Sequence, residues 1–233
     1  MTGGRREGSV GTETGRVIDT SPARIEILRR IRAANGASAD AARAAQPWSA
    51  IERNYQRAAT RSREEILELL EDRLRDYDAD VVRASEADVP AAVARMLTER
   101  GRRKLLIPSG LNAAWLPKGF DFRVDNGGLP ADLDQFEGVI TGSTVAIALT
   151  GTVILQNVPG EGLRAASLVP DYHLCLVRVD DVVETVPEAL DRIKDSATLP
   201  TTFFAGPSAT ADIEMTRIKG VHGPRFLDII LIQ

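Results

Sequence analysis

The feature that most constrains this chain is its C-terminal segment, residues 201–233. An apolar, β-branched and aromatic run, Thr201-Thr202-Phe203-Phe204-Ala205, meets a Gly206-Pro207 break. Small hydroxyl residues and two carboxylates follow in Ser208-Ala209-Thr210-Ala211-Asp212-Ile213-Glu214. A second loop, Gly220-Val221-His222-Gly223-Pro224, leads into the closing run Leu227-Asp228-Ile229-Ile230-Leu231-Ile232. The pattern predicts strand, turn, helix start, loop and strand, with the reactive side chains gathered at strand ends. In open α/β sheets, ligands bind outside the carboxyl ends of the strands.

The turn chemistry supports two readings. Ser208 or Thr210 can N-cap a following helix by accepting from an amide that lacks an intrahelical partner. Asp212 and Glu214 would then place negative charge in its first turn, where the helix dipole favours it. The same free amides of Gly206–Thr210 can instead bind a phosphate or carboxylate, although nearby carboxylates oppose an anion. The closing unit is also expected to bring the Gly206–Glu214 turn and the His222 loop side by side at one rim of the sheet. A last strand parallel to its neighbours in that sheet would place the two loops at opposite rims, and an antiparallel edge strand avoids this.

The rest of the chain extends the α/β pattern. Residues 1–18 offer few apolar anchors and read as a disordered tail. Residues 19–60 read as a helical arm: Ser21-Pro22 opens a helix carrying Ile25, Leu28 and Ile31, Asn35-Gly36 ends it, and a second helix is expected near Trp48 with Ile51 and Tyr55. The arm is locally basic, through Arg24, Arg29, Arg30, Arg32 and Arg43, and packs either in cis or on another subunit. Residues 61–233 form the main domain. Ile66, Leu67, Leu69, Leu70 and Leu74 make a helical stripe. Residues 80–83 and 104–107 flank a helix with Val93, Met96 and Leu97, which predicts a parallel strand pair with a right-handed crossover. Runs at 138–148 and 151–155, split by Gly and Thr, predict a meander, residues 173–179 a strand and residues 187–194 a helix. The fold expected is α/β, with a mixed, mainly parallel sheet flanked by helices and preceded by a helical arm.

Composition excludes several functions. A formal net charge of −4 gives no broad field for nucleic acid. The single cysteine, Cys175, sits in an apolar run and forbids both an intrachain disulfide and a four-thiolate iron–sulfur cluster. With only His173 and His222 as imidazoles, no metal site and no cofactor in this chain are expected. No apolar run reaches the length of a membrane span and no secretory signal is recognisable, so the expected compartment is the cytoplasm. His222, in a Gly-bounded loop, is a better acid–base candidate than His173, which begins an apolar strand. Asp212 and Glu214 are its weak companions as catalytic candidates. Gly206, Ser208, Thr210, Thr150, Gly151, Thr152 and Arg164 are the candidate ligand-binding residues: hydroxyls and amides suited to an anion, and a guanidinium able to clamp a carboxylate. The Pro108–Asn112 loop is a further possible anion cradle without a nucleotide-binding motif.

The run from Gly206 to Glu214, followed by Gly220-Val221-His222-Gly223-Pro224 and a closing strand, resembles the signature of the LUD-domain, lactate utilization C family, and Thr150–Leu155 resembles another of its motifs. The resemblance implies a fold like the ribose-phosphate isomerase, glucosamine-phosphate deaminase and CoA-transferase group. It also implies a non-redox role beside iron–sulfur partner proteins in oxidising L-lactate to pyruvate, with a small anionic ligand at the strand-end cleft. Where many relatives read Ala-Glu-Thr-Gly-Thr, this chain has Leu149. Leucine can neither transfer a proton nor form an acyl intermediate, which weighs against a CoA-transferase-like activity. A sugar-phosphate isomerase and a ligand-sensing scaffold are the other readings.

Overall fold

A computed structural model describes residues 21–34, 49–210, 218–220 and 222–233. The chain divides into two units, residues 1–54 and 55–233. Within the first, α1 (Ser21–Ala34) exposes Ile25, Ile27 and Ile31, and its Glu26 pairs with Arg29 at 2.7 Å and Arg30 at 2.8 Å. The expected second helix does not carry Ile51 and Tyr55, both of which are exposed in irregular chain. The expected tail, residues 1–18, lies outside the described residues.

In the second unit, Ser62 starts α2 (Arg63–Asp76) through a reciprocal capping box with Glu65. The expected apolar stripe is buried at Ile66, Leu67, Leu70 and Leu74, while Leu69 is only partly buried. Next come β1 (Asp80–Ala84), α3 (Val89–Glu99), β2 (Lys104–Ile107), β3 (Asp121–Val124), α4 (Pro130–Leu133) and β4 (Gly138–Thr141). They are followed by β5 (Val145–Ile147), β6 (Thr152–Gln156), β7 (Tyr172–Arg178), β8 (Val182–Val183) and α5 (Val186–Ile193). The chain closes with β9 (Thr201–Phe204), β10 (Ala209–Thr210), β11 (Ile218–Lys219) and β12 (Phe226–Ile232).

The main sheet has six strands in the order β1-β12-β7-β4-β2-β3, and every pairing in it is parallel. A four-stranded sheet, β8-β5-β6-β9, is mixed, with β5–β6 and β6–β9 antiparallel and β5–β8 parallel, and β10 and β11 form a separate antiparallel pair. The α/β class with helices flanking a parallel sheet is therefore as the sequence predicts. Two neighbour relations differ. Strands β1 and β2 are parallel but not adjacent, because β12, β7 and β4 lie between them. The runs at 138–148 and 151–155 do not form one meander: β4 joins the main sheet, and only β5 and β6 pair as a hairpin.

The long apolar runs of β7 and β12 are explained by burial on both faces. Cys175, Val177, Ile229 and Leu231 pack with the α2 stripe and with Ala146, Val153 and Leu155 of the second sheet. The alternate residues Leu174, Leu176, Ile230 and Ile232 pack with Val89, Val93, Met96 and Leu97 of α3. A third cluster joins Val145, Ile147 and Ile154 to Ala189 and Ile193 of α5, a helix started by a Thr185–Glu188 capping box. No described helix is long and apolar enough to cross a membrane.

Candidate functional site

Strand β9 pairs antiparallel with β6, Phe204 opposite Val153, and so ends in the second sheet, not the main one. Gly206 then reverses the chain at φ +76°, where a side chain would meet the Tyr77 carbonyl oxygen at 2.9 Å. The described residues that come next are extended and pair antiparallel: Ala209 faces Lys219, and Thr210 faces Ile218. Ser208 therefore precedes a strand and is not an N-cap. Ser208 works as a junction. Its amide donates to the Pro224 carbonyl at 2.8 Å, its carbonyl accepts from the Gly220 amide at 2.9 Å, and its hydroxyl oxygen accepts from the His222 amide at 3.0 Å.

The Gly206 turn and the His222 loop are thus side by side, as expected, but for a different reason. The last strand runs parallel to β1 and β7, and the conflict vanishes because β9 belongs to the other sheet. The cavity between them, about 230 Å³, sits at the carboxyl end of β9 and the amino ends of β7 and β12. This is the opposite rim of the parallel sheet from the one that the general rule for such sheets suggests.

The far wall comes from the loop before β7 and from β7 itself: Arg164, Ser167 and His173 line the cavity together with Ser208 and His222. The buried His173 ring lies 5.1 Å from the Phe204 ring, centroid to centroid. Its Nε2 lies 2.8 Å from the Thr141 hydroxyl, which in turn lies 3.7 Å from the Cys175 sulfur; the Cys175 thiol points to the Gly142 carbonyl at 3.4 Å. A single assignment satisfies all three: Nε2–H donates to Thr141, Thr141 O–H to Cys175, and Cys175 S–H to Gly142. The His173 ring is then neutral, with Nδ1 an acceptor. Burial, reinforced by the Arg164 charge, pushes its pKa down to about 3. Burial pushes the Cys175 thiol up to about 12, against the Thr141 hydrogen bond, so this cysteine is inert.

Among the described residues the cavity lining has no carboxylate, and no ion pair or hydrogen bond engages the Arg164 guanidinium. The arrangement offers a fixed positive charge, two imidazoles and two hydroxyls to a small anion. Of the sequence candidates, Gly206, Ser208, Arg164 and His222 meet here. Thr150, Gly151 and Thr152 do not line the cavity; Gly151 turns at φ +61° against Arg73 of α2, and the Thr150 and Thr152 hydroxyls bond to each other at 2.8 Å. Asp212, Glu214 and the Thr210 side chain lie outside the described residues. The Pro108–Asn112 loop lies elsewhere, at the carboxyl end of β2. Sequence reasoning missed His173 and Ser167: His173 sits in a strand buried on both faces, where nothing in the pattern separates a lining residue from a core one. Among the described residues no three His, Cys, Asp or Glu side chains converge as a metal site.

The family model of the LUD domain matches residues 52–232. The chain is 43% identical to Lactate utilization protein C of Deinococcus radiodurans, an alignment covering 76% of this chain and 84% of that protein. It is 26% identical to Lactate utilization protein C of Oceanobacillus iheyensis, over 81% and 88% of the two chains. A crystal structure of a DUF162 family protein from Deinococcus radiodurans superposes with a TM-score of 0.66 at 40% identity, covering 74% of this chain and 99% of that one. The chain belongs to the LUD domain family.

Proposed function

We propose that this protein takes part in lactate utilization as a non-redox component that binds a small carboxylate in the Arg164–His173–Ser208–His222 cavity and acts beside iron–sulfur partner proteins. The observation that carries the reading is the unpaired Arg164 guanidinium in a cavity whose described lining has no acid. The names of the relatives from Deinococcus radiodurans and Oceanobacillus iheyensis supply the pathway. Arg164 takes the carboxylate, and the neutral His173 adds a hydrogen-bond acceptor for a hydroxyl group. Chemistry that moves electrons falls to the partners, since the one cysteine is buried and inert.

Calorimetric titration with sodium L-lactate tests the ligand half. Losing a charge-assisted hydrogen bond costs about 1.5–3 kcal/mol, so Arg164→Ala should weaken binding by roughly 10- to 150-fold. Unchanged affinity in the variant would overturn the assignment. Affinity isolation of the protein from native extract tests the partner half: iron–sulfur proteins should co-purify, and the isolated chain should show no visible absorbance band. A stoichiometric chromophore on this chain would contradict the non-redox role.

A further inference from the structure

A second cavity, of about 210 Å³, opens at the other end of the same strands. It follows the carboxyl ends of β2 and β4 and takes in Leu176 and Arg178 at the end of β7, the rim where parallel sheets place ligands. Its distinctive residue is Glu161, which is 6% exposed. The Glu161 carboxylate accepts from the Thr144 hydroxyl at 2.8 Å and from the Gln156 amide. Both are neutral donors, and among the described residues no cation pairs with it.

The other charges in the lining are already matched. Arg178 pairs with Glu86 at 3.1 Å and lies over the Trp115 ring at 5.1 Å, and Asp181 faces Arg192 at 3.4 Å. Glu161 alone is left without an opposite charge, and burial together with the nearby Asp181 charge raises its pKa against the two hydrogen bonds. A carboxylate removed from water normally has a cation beside it. The geometry points to a second ligand site, distinct from the Arg164 cavity and independent of its reading, in which Glu161 receives a small primary ammonium group. Asn112 and Ser143 line the same space and can orient a hydroxyl on that ligand. The two cavities are therefore opposite in charge preference, anion at the amino rim and cation at the carboxyl rim.

Amide chemical-shift mapping with ethanolamine hydrochloride, at constant ionic strength and pH, tests this. Saturable shifts should centre on Gly142, Ser143, Gly160 and Glu161, and Glu161→Gln should raise the dissociation constant at least tenfold. Sodium L-lactate should leave these amides unmoved. Shifts centred elsewhere, no saturable shift in the wild-type chain, or binding within twofold in Glu161→Gln would overturn the proposal. Equal binding of ethylene glycol would overturn it as well, by making the cavity a site for neutral hydroxyls. If the variant fails to fold, the wild-type shift map and the ethylene glycol comparison decide.

Discussion

Glu184 gives the sharpest test of how the second unit is held together. It follows β8 directly and is fully buried. Its carboxylate accepts from the Thr60 amide at 2.6 Å, the Arg61 amide at 3.0 Å, the Gln56 side chain at 2.9 Å and the Arg61 guanidinium. One side chain thus fastens the segment before α2 to the edge of the four-stranded sheet. Burial alone would raise its pKa, but these bonds outweigh burial and hold it at about 2, below the usual 4.5. In Glu184→Gln the carbonyl oxygen can still serve the two backbone amides, while the new NH₂ group meets the Arg61 and Gln56 donors. Bonds to a charged acceptor are worth about 1.5–3 kcal/mol. The Arg61 side chain is 41% exposed and can turn to water, which limits the loss to about 2–3 kcal/mol. For a domain of this size, at about 2–4 °C per kcal/mol, Tm should fall by roughly 4–12 °C at pH 7.

The acid dependence provides the control. A carboxylate whose folded-state pKa is depressed stabilises the fold above its unfolded pKa and loses that contribution as pH falls through the folded value. The gap between wild type and Glu184→Gln should therefore be full above pH 4.5 and close towards about pH 2. Urea unfolding followed by tryptophan fluorescence, using the buried Trp115, measures it at each pH. A pH 7 difference below about 0.5 kcal/mol, or a difference that stays constant into acid, would refute the reasoning.

Thr141→Val removes the oxygen that faces His173 Nε2 and leaves a buried ring nitrogen unpaired, which should cost about 1–3 kcal/mol in chemical denaturation. An equally stable variant would remove the basis for the His173–Thr141–Cys175 chain. Leu74→Ala, at a side chain with no exposed surface, should cost about 2–5 kcal/mol by the same measurement; a loss under 1 kcal/mol would mean that the α2 stripe is not packed as described. Gly206→Ala places a methyl group against Tyr77 at a positive φ, and should weaken lactate binding as well as lower Tm. A variant with normal affinity would separate this turn from the site.

How far the fold could be read from the residues follows from the range of each interaction. The capping residues Ser62 and Thr185, the α2 stripe and the β-branched runs are local signals, and each marks an element found in the structure. Strand order is not local. The last strand of the chain inserts between β1 and β7, and an edge or central position for β12 looks the same in its apolar run. The Ser208 region shows the same limit at short range. A small hydroxyl residue before acidic residues reads as a helix cap, yet Ser208 spends its hydroxyl on the His222 amide and its carbonyl on Gly220, twelve residues away. Pairing across that distance decides whether Ser208 caps a helix or leads into a strand, and no propensity encodes it. The candidate site inherits both limits. Its loop members, Arg164, Ser208 and His222, stand out because polar residues between apolar runs are visible as exceptions. His173 does not, because β7 is buried on both faces and period-two alternation, the one signal that would separate its two sides, is absent. What distinguishes His173 from Leu174 is that β9 leaves the neighbouring sheet at Phe204 and turns at Gly206 over the end of β7, a relation between distant parts of the chain that exists only once both sheets have formed.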